Sequence, residues 1–366
     1  MTEVVVVGGG IGGLAAAYAQ ARAGRAVRLL ERSAEFGEVG AGLQLGPNAT
    51  RLLAGWGLLD RVIEAGVLPG RLVFRDAVSG EELTHLDLGE GFLRRYGAPY
   101  VVVHRSDLHA ILLAACAEAG VELARGRQVE RVETIGGRAR TCCTDGSEHD
   151  SDVVIGADGL QSGLRADLVG DQPLDSGFVA YRGTCPLPED FDTAEVVAWL
   201  GPDCHFVQYA LRGGELLNQV AVFRGAGELE AAYERCCAEV RKGLPYLWQD
   251  RHWPMLDRLP AGTWVKGRLA LLGDAAHPML QYLAQGACQA LEDAHVLAEQ
   301  SAAGDWDRAL AAYQEIRAPR TARVQATARL WGDIWHVDGV ARVLRNELFR
   351  TRDLAGHTYT DWLYGS

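Results

Sequence analysis

The sequence predicts an α/β fold in which a parallel βαβ unit opens the chain, antiparallel strands are inserted further on, and helices close it. Three observations support this prediction. The stretch from Val4 to Glu31 has the pattern of a strand, a glycine-rich turn, a helix and a second strand. Residues 73–97 and 173–263 contain alternating apolar and polar positions, which are typical of antiparallel strands. From Thr321 onwards the chain is rich in arginine and tryptophan and has a helical pattern.

The composition argues against several classes of protein. The chain has 366 residues, 48% of them hydrophobic, which is enough for the core of one large or two intertwined domains. The formal net charge of −12 argues against a general nucleic-acid binder, because neutralising phosphates requires a basic surface. No run reaches the roughly 18 apolar residues of a membrane span. The opening "MTEVVVVGGG" turns to glycine too early for a signal peptide, so we expect a cytoplasmic protein.

The eight cysteines do not have the spacing of a metal site or a disulfide framework. None of them forms a C-x-x-C pair, and two sets are direct neighbours in the sequence. Reduced thiols in a cytoplasmic protein are the simpler interpretation. We therefore expect no metal ion.

The N-terminal segment has the pattern of a dinucleotide-binding unit. Gly8, Gly10 and Gly13 follow the strand Val4–Val7 and match G-x-G-x-x-G, whose glycines allow a tight turn and a close approach of a pyrophosphate to a helix N-terminus. Glu31 ends the second strand 23 positions after Gly8, where an acidic residue accepts hydrogen bonds from a ribose. An ordinary glycine-rich βαβ turn is the alternative, and Glu31 argues against it. The pattern alone does not distinguish NAD from FAD.

Further segments make the interpretation more specific. These are "GAGLQLGPNATRLLAGWGL", "HRSDLHAILL", "DVVIGADGLQSGLR" and "LLGDAAHPMLQYLAQGACQALEDA". In this order, over nearly the whole chain, they resemble the FAD-dependent aromatic hydroxylases, the single-component flavoprotein monooxygenases that include salicylate and hydroxybenzoate hydroxylases. The resemblance implies a Rossmann-like FAD-binding domain with an inserted antiparallel-sheet substrate domain and C-terminal helices.

The resemblance also implies which residues bind the cofactor. Glu31 is expected to bind the adenosine ribose, Arg105 to lie against the phosphates, and Asp274 to hold the ribityl and pyrophosphate region. Asp158 is expected to serve both FAD and NAD(P)H. The other expected cofactor-binding residues are Gly8, Gly10, Gly13, Arg32, Gln44, Val129, Gly286 and Ala287. A surface ion pair is the alternative for Arg105, and a helix cap is the alternative for Asp158.

The predicted domains are discontinuous. Residues 1–72, 98–172 and 264–320 are expected to form the FAD-binding domain, residues 73–97 and 173–263 the substrate domain, and residues 321–366 a C-terminal helical segment. A cleft where the two domains meet is the expected ligand site. Because the chain shows no second nucleotide fingerprint, we expect NAD(P)H to bind only transiently.

The helix predicted from Gly286 has an expected electrostatic function. Its N-terminus carries the positive end of the helix dipole. We expect this end to face the N1–C2=O edge of the flavin, which becomes negatively charged on reduction. His277, in the turn before it, is expected to shape the turn rather than to transfer protons.

Three residues are predicted to be catalytic: His205, Tyr209 and Gln281. Residues four apart on a strand share a face, so His205 and Tyr209 would meet the substrate together, with His205 accepting the proton of a phenol. Gln281 stands where many members of the family have the second proline of an H-P-x-x-P motif. The sequence at Gln281 and Tyr282 instead resembles that of the family branch that hydroxylates 3-hydroxybenzoate. The alternatives are a core histidine for His205 and a turn residue bonded to its own backbone for Gln281.

The expected reaction is the NAD(P)H- and FAD-dependent conversion of 3-hydroxybenzoate and O2 to gentisate via a flavin C4a-hydroperoxide. A hydroxylase of salicylate or of a natural-product phenol on the same scaffold is the nearest alternative. A flavin-binding protein that does not hydroxylate, or an NAD-binding dehydrogenase, would belong to another class. A homodimer is one possible assembly, and the oligomeric state is left open.

Overall fold

The computed structural model describes residues 2–37, 40–225 and 227–365. Spatial contacts divide the chain into two compact units. Unit 1 comprises Met1–Val39, Ser106–Leu174 and Leu256–Ala326, and unit 2 comprises Gly40–Arg105, Asp175–Met255 and Thr327–Ser366. Residues 40–72 and 98–105 thus group with the antiparallel strands, unlike in the division predicted above. The predicted domains, as functional divisions, stay a prediction.

The chain contains the following strands and α-helices. The strands are β1 (Glu3–Val7), β2 (Ala26–Leu30), β3 (Gly42–Leu45), β4 (Arg71–Asp76), β5 (Glu82–Asp87), β6 (Val101–His104), β7 (Glu122–Ala124), β8 (Val129–Ile135), β9 (Arg138–Cys143), β10 (Glu148–Ser151), β11 (Val153–Gly156), β12 (Leu174–Pro186), β13 (Glu195–Gly201), β14 (Cys204–Leu211), β15 (Leu216–Arg224), β16 (Trp253–Asp257), β17 (Val265–Lys266) and β18 (Leu269–Leu271). The α-helices are α1 (Ile11–Arg22), α2 (Pro47–Gly55), α3 (Leu59–Ala65), α4 (Glu90–Tyr96), α5 (Arg105–Glu118), α6 (Gly163–Leu168), α7 (Leu229–Ala232), α8 (Ala238–Gly243), α9 (Gly286–Gln300), α10 (Trp306–Trp335), α11 (Gly339–Thr351) and α12 (Thr358–Tyr364).

Unit 1 is built on a mostly parallel sheet. The strand order is β17-β18-β11-β1-β2-β7, and only β17 runs antiparallel to its neighbour. The four valines of β1 are all buried, which explains why a β-branched run without polar alternation forms this central strand. Helix α1 packs against α9, and its alanines keep the helix surface small. The predicted βαβ unit is confirmed.

Unit 2 is built on a seven-stranded sheet with the order β16-β12-β15-β14-β13-β4-β5. β12, β15, β14 and β13 pair antiparallel, β13 pairs parallel with β4, and β4 and β5 form an antiparallel hairpin. Strands β3 and β6 form a separate antiparallel pair. The predicted antiparallel sheet is therefore confirmed.

The two faces of the seven-stranded sheet have different coverings. On one face Phe206 and Phe223 form a buried core with Tyr233, which follows the short helix α7. On the other face Phe74 of β4 contacts Trp335 at the end of α10 and Phe349 of α11, with ring centroids 5.9 and 6.1 Å apart. The C-terminal helices of unit 2 therefore cover the second face at β4.

A buried carboxylate fixes α11 to this face. Asp76, at the end of β4, is fully buried and accepts hydrogen bonds from Arg342 at 2.8 Å and from Asn346 at 2.8 Å. Burial alone would raise the pKa of Asp76, but these hydrogen bonds outweigh it and lower the pKa well below its usual range. Arg345 donates to the carbonyl of Trp335 at 2.6 Å, so the same cluster also holds the end of α10.

In the part of the chain that the structure describes, no helix is both long enough and apolar enough to span a membrane.

Candidate active site

The turn between β1 and α1 has the geometry of a phosphate cradle. Gly8 has φ +105°, a conformation that L side chains rarely adopt. A Cβ on Gly13 would lie 1.9 Å from the carbonyl oxygen of Gly8, so a side chain there would break the turn. Helix α1 begins after Gly10 without a side-chain cap, which leaves backbone N–H groups of its first turn for a ligand.

Glu31 lies beside this cradle. Its Oε2 accepts a hydrogen bond from the Gly9 N–H at 2.6 Å, and its Oε1 accepts one from the Ser33 N–H at 2.8 Å. The carboxylate is therefore held at the turn, where the resemblance places the ribose. Arg32 is exposed next to it, and Val129 is half-buried at the start of β8. The cofactor-binding functions of these residues stay predictions.

Asp158 gives more direct evidence than Glu31 for a ligand site in unit 1. It follows β11, and its buried Oδ1 has no hydrogen-bond partner among the described residues. Its Oδ2 accepts from the Leu164 N–H at 3.4 Å, while the helix α6 is capped by Ser162. Burial raises the pKa of Asp158. A buried carboxyl oxygen without a donor fits the hydroxyl or amide groups of a dinucleotide such as FAD.

The turn after β18 is fixed from its buried side. Asp293 of α9 accepts hydrogen bonds from the Gly273 N–H at 3.0 Å and from Arg317 Nε at 2.7 Å, and it pairs with Nε2 of His277 at 2.5 Å. Burial alone would raise the pKa of Asp293, but His277 and Arg317 lower it to about 2. Asp274 is exposed on the same turn. This arrangement supports the expectation that His277 shapes the turn.

Helix α9 begins where the sequence predicts. A short 3₁₀ turn, Gln281–Leu283, precedes it, and Ala284 then has φ +52°, a left-handed conformation that is strained for alanine. The helix starts at Gly286 with neither a side-chain cap nor an acidic residue in its first turn. Its N-terminal N–H groups at Gly286 and Ala287 can therefore face an anionic group. That the group is the reduced flavin stays a prediction.

Two expected cofactor residues, Gln44 and Arg105, belong to unit 2. Gln44, on β3, accepts a hydrogen bond from the hydroxyl of Tyr100 at 2.7 Å and also bonds to Tyr209. Arg105 follows β6, and a Cβ on Gly40 would lie 3.0 Å from its Cδ. Glycine at position 40 therefore makes room for the Arg105 side chain.

His205 and Tyr209 share one face of β14, as the alternation predicts. Both are buried, with exposed fractions of 1% and 3%. Phe206 points to the opposite face, into the core beside Tyr233. Four residues of strand span about 13 Å, so the two side chains would contact different ends of a small aromatic ring rather than one hydroxyl.

His205 has a histidine partner that the sequence analysis missed. Its Nδ1 lies 2.8 Å from Nε2 of His336, and the two rings are stacked at 5.1 Å. Burial, with a smaller contribution from His336, lowers the pKa of His205 well below its usual value, so the imidazole is neutral at neutral pH. The single histidine of the stretch "DIWHVDG" is the signal in the sequence that could have identified His336.

Tyr209 is held at the other end of this face. A Cβ on Gly42 would lie 2.4 Å from the Tyr209 ring, so the ring packs directly on the backbone of β3. Burial raises the pKa of Tyr209, which keeps its hydroxyl protonated as a hydrogen-bond donor. Arg182 contributes a nearby positive charge. Gln281 is half-buried in unit 1, and the catalytic functions of His205, Tyr209 and Gln281 stay predictions.

Comparison with known proteins identifies the family. A family model described as "FAD binding domain" matches residues 1–182 and 228–328. The chain is 39% identical to 3-hydroxybenzoate 6-hydroxylase of Polaromonas naphthalenivorans, over 99% of this chain and 95% of that protein. It is 37% identical to 3-amino-4-hydroxybenzoate 2-monooxygenase of Streptomyces cremeus, over 99% and 95% of the two chains.

A solved structure supports the same conclusion. HpxO of Klebsiella pneumoniae, crystallised with FAD and uric acid, superimposes with a TM-score of 0.86 at 27% identity, over 96% of this chain and 93% of that chain. The glycine cradle and the unpartnered Asp158 oxygen fit the same cofactor. The chain therefore belongs to the FAD-dependent aromatic hydroxylases, flavoprotein monooxygenases that use FAD as the cofactor and NADH or NADPH as the reductant.

Proposed function

We propose that this enzyme converts 3-hydroxybenzoate to gentisate, with one atom of O2 entering the ring para to the hydroxyl. The observation that supports the proposal most is the shared face of β14. There His205 presents a neutral imidazole and Tyr209 a protonated phenol, at positions about 13 Å apart along the strand. A relative named for 3-hydroxybenzoate supports this substrate. Another relative is named for 3-amino-4-hydroxybenzoate, so similarity alone does not select between aromatic acids.

His205 is the residue that we propose accepts the phenol proton. A phenolate ring is more electron-rich than a phenol and reacts faster with an electrophilic oxygen, and a neutral imidazole is the side chain suited to take the proton near pH 7. Reduced FAD, when bound, supplies the activated oxygen. Gln281 stays a predicted partner of the substrate hydroxyl, since an amide can both donate and accept a hydrogen bond.

Arg182 is the residue that we propose binds the substrate carboxylate. It pairs with Val220, which in turn pairs with Val207, so Arg182 points to the same face as His205 and Tyr209. Its Nε is buried without a hydrogen-bond partner among the described residues. Burial lowers the pKa of Arg182, as does the like charge of Arg105 nearby. A guanidinium whose Nε is buried without a partner is stabilised by an anionic ligand.

The test is oxygen-coupled oxidation of NADH and NADPH by the FAD-loaded enzyme with each hydroxybenzoate isomer. We expect 3-hydroxybenzoate to stimulate nucleotide oxidation most and to give gentisate. Salicylate as the preferred substrate would support the alternative on the same scaffold. Nucleotide oxidation without any hydroxylated product would contradict the proposal and favour a flavin protein of another kind.

Arg182→Gln tests the carboxylate site. We expect it to raise KM for 3-hydroxybenzoate at least tenfold while changing KM for 3-hydroxybenzyl alcohol, which lacks the carboxylate, much less. An equal loss with both ligands would contradict this function.

We also propose a cytoplasmic location, because all eight cysteines carry free thiols. The homodimer stays a prediction that sedimentation can test.

A further inference from the structure

The pairing of His205 with His336 is not used by the function proposed above. The two imidazoles approach to 2.8 Å, Nδ1 to Nε2, across 131 positions of sequence. His205 is 1% exposed, whereas His336 is 6% exposed and therefore nearer to solvent. Together they form a short path of nitrogen atoms from the buried face of β14 towards the surface.

The surroundings hold His336 in one orientation. Its ring stacks on Phe178 with centroids 4.4 Å apart and an interplanar angle of 23°. Its backbone carbonyl accepts a hydrogen bond from the Asp203 N–H at 3.0 Å, in the turn before β14. The neighbouring Trp335 packs edge-on against His205 at 5.1 Å, and the carbonyl of Trp335 is held by Arg345. The His205–His336 pair is thus built into the fold.

We propose that His336 is a positioning residue that orients His205 and passes the substrate's phenol proton from it to solvent. This inference rests on the proposed function of His205. The phenol O–H bond breaks as its proton moves to Nε2 of His205. The proton on Nδ1 of His205 moves to Nε2 of His336, and the proton on Nδ1 of His336 leaves to water. One proton enters the pair and one leaves, and no electrons are transferred.

Burial explains why a relay suits this site better than a single base. Burial lowers the pKa of His205 well below its usual value and lowers the pKa of His336 to about 3. A lone buried imidazole would therefore hold the phenol proton poorly, because its charged form is disfavoured. When the proton is passed on, neither imidazole has to remain charged.

The charged groups around His336 come from three elements. Asp203, before β14, favours the charged imidazole, whereas Arg224 of β15 and Arg345 of α11 disfavour it. Asp203 is itself paired with Arg224 at 2.6 Å, and both side chains are more than half exposed. A carboxylate that is more than half exposed and paired with Arg224 thus favours the charged form of the outer imidazole.

The test measures ionisation of the bound substrate. 3-Hydroxybenzoate is bound to the oxidised, FAD-loaded full-length enzyme, and the phenolate absorbance is recorded from pH 6 to 10. His336→Gln keeps an acceptor for His205 but cannot relay a proton. We expect the ionisation midpoint to rise by at least one pH unit, and kcat at pH 7 to fall tenfold or more with a smaller change in KM.

His85→Gln is the matched control. His85 lies on β5 and bonds to Glu82 at 2.8 Å, and the same substitution there should change neither the ionisation midpoint nor kcat. A His336→Gln enzyme with the midpoint and kcat of the unaltered protein would overturn the inference. If the unaltered enzyme neither ionises nor hydroxylates any hydroxybenzoate, the proposed function fails, and the inference fails with it.

A second measurement applies if His336→Gln does not fold with FAD. The hydroxylation rate of the unaltered enzyme is then measured in mixtures of H2O and D2O. A relay predicts a curved dependence on deuterium content, because two or more protons move. A linear dependence, which indicates one moving proton, would overturn the relay.

Discussion

Asp293 offers a quantitative test of how unit 1 holds the turn before α9. The change is Asp293→Asn, which keeps the shape of the side chain and removes the charge shared by His277 and Arg317. A pKa lowered from 3.8 to about 2 corresponds to about 2 kcal/mol at neutral pH. Removing one partner of a buried charge pair costs about 3–5 kcal/mol. We therefore expect the free energy of unfolding to fall by about 2–4 kcal/mol.

The assay is unfolding of the FAD-free protein by heat and by denaturant. At about 2.1 cal/mol/K of unfolding entropy per residue, this loss lowers the midpoint of a 366-residue chain by about 3–5 °C. Because the carboxyl has a lowered pKa in the folded state, its contribution is complete above pH 3.8 and is lost as the pH falls towards 2. The difference between the two proteins should therefore shrink from pH 5 to pH 3.

The control is Asp307→Asn, the same substitution in the same unit. Asp307 is 79% exposed and pairs with Arg268 at the surface, so we expect its midpoint to match that of the unaltered protein. Unaltered stability of Asp293→Asn at pH 7, or a difference that grows below pH 5, would refute the reasoning. Because the turn carries Asp274, we also expect the variant to release FAD more readily.

Three further predictions concern other parts of the fold. Asp76→Asn should lower the free energy of unfolding by about 3 kcal/mol, because it weakens the buried anchor of α11; denaturant unfolding unchanged within 1 kcal/mol would count against it. Gly42→Ala should reduce kcat/KM for 3-hydroxybenzoate at least tenfold, because its Cβ would displace the Tyr209 ring, and steady-state kinetics with normal values would contradict this. Gly13→Ala should prevent FAD retention, because its Cβ would collide with the Gly8 carbonyl; a normal 450 nm absorbance after purification would contradict this.

The features that the sequence predicts well are local ones. The turn between β1 and α1 depends on the small size of glycines that lie within a few residues of one another. Glu31 directly follows β2, a strand of ordinary length. The hairpin of β4 and β5 and the shared face of His205 and Tyr209 follow from the period of two along a strand. Such patterns need no knowledge of distant packing.

The features that the sequence does not predict depend on long-range packing. His336 reaches His205 only because the end of α10 lies on the sheet of unit 2, and no periodicity in either segment specifies that contact. Asp76 and Arg342 pair across 266 positions for the same reason. Helix α10 also continues through residue 320, where a change in composition suggested a boundary. The composition changes there, but the helix continues, even through Pro319.

The most direct measurement of the proposed function is turnover of 3-hydroxybenzoate under ¹⁸O2 with the FAD-loaded enzyme, followed by mass spectrometry and NMR of the product. We predict gentisate that carries one ¹⁸O atom in the new hydroxyl, para to the original one. A dihydroxybenzoate with the new hydroxyl at another position would contradict the assigned regiochemistry. NADH oxidation that yields only hydrogen peroxide would contradict the assignment of this substrate.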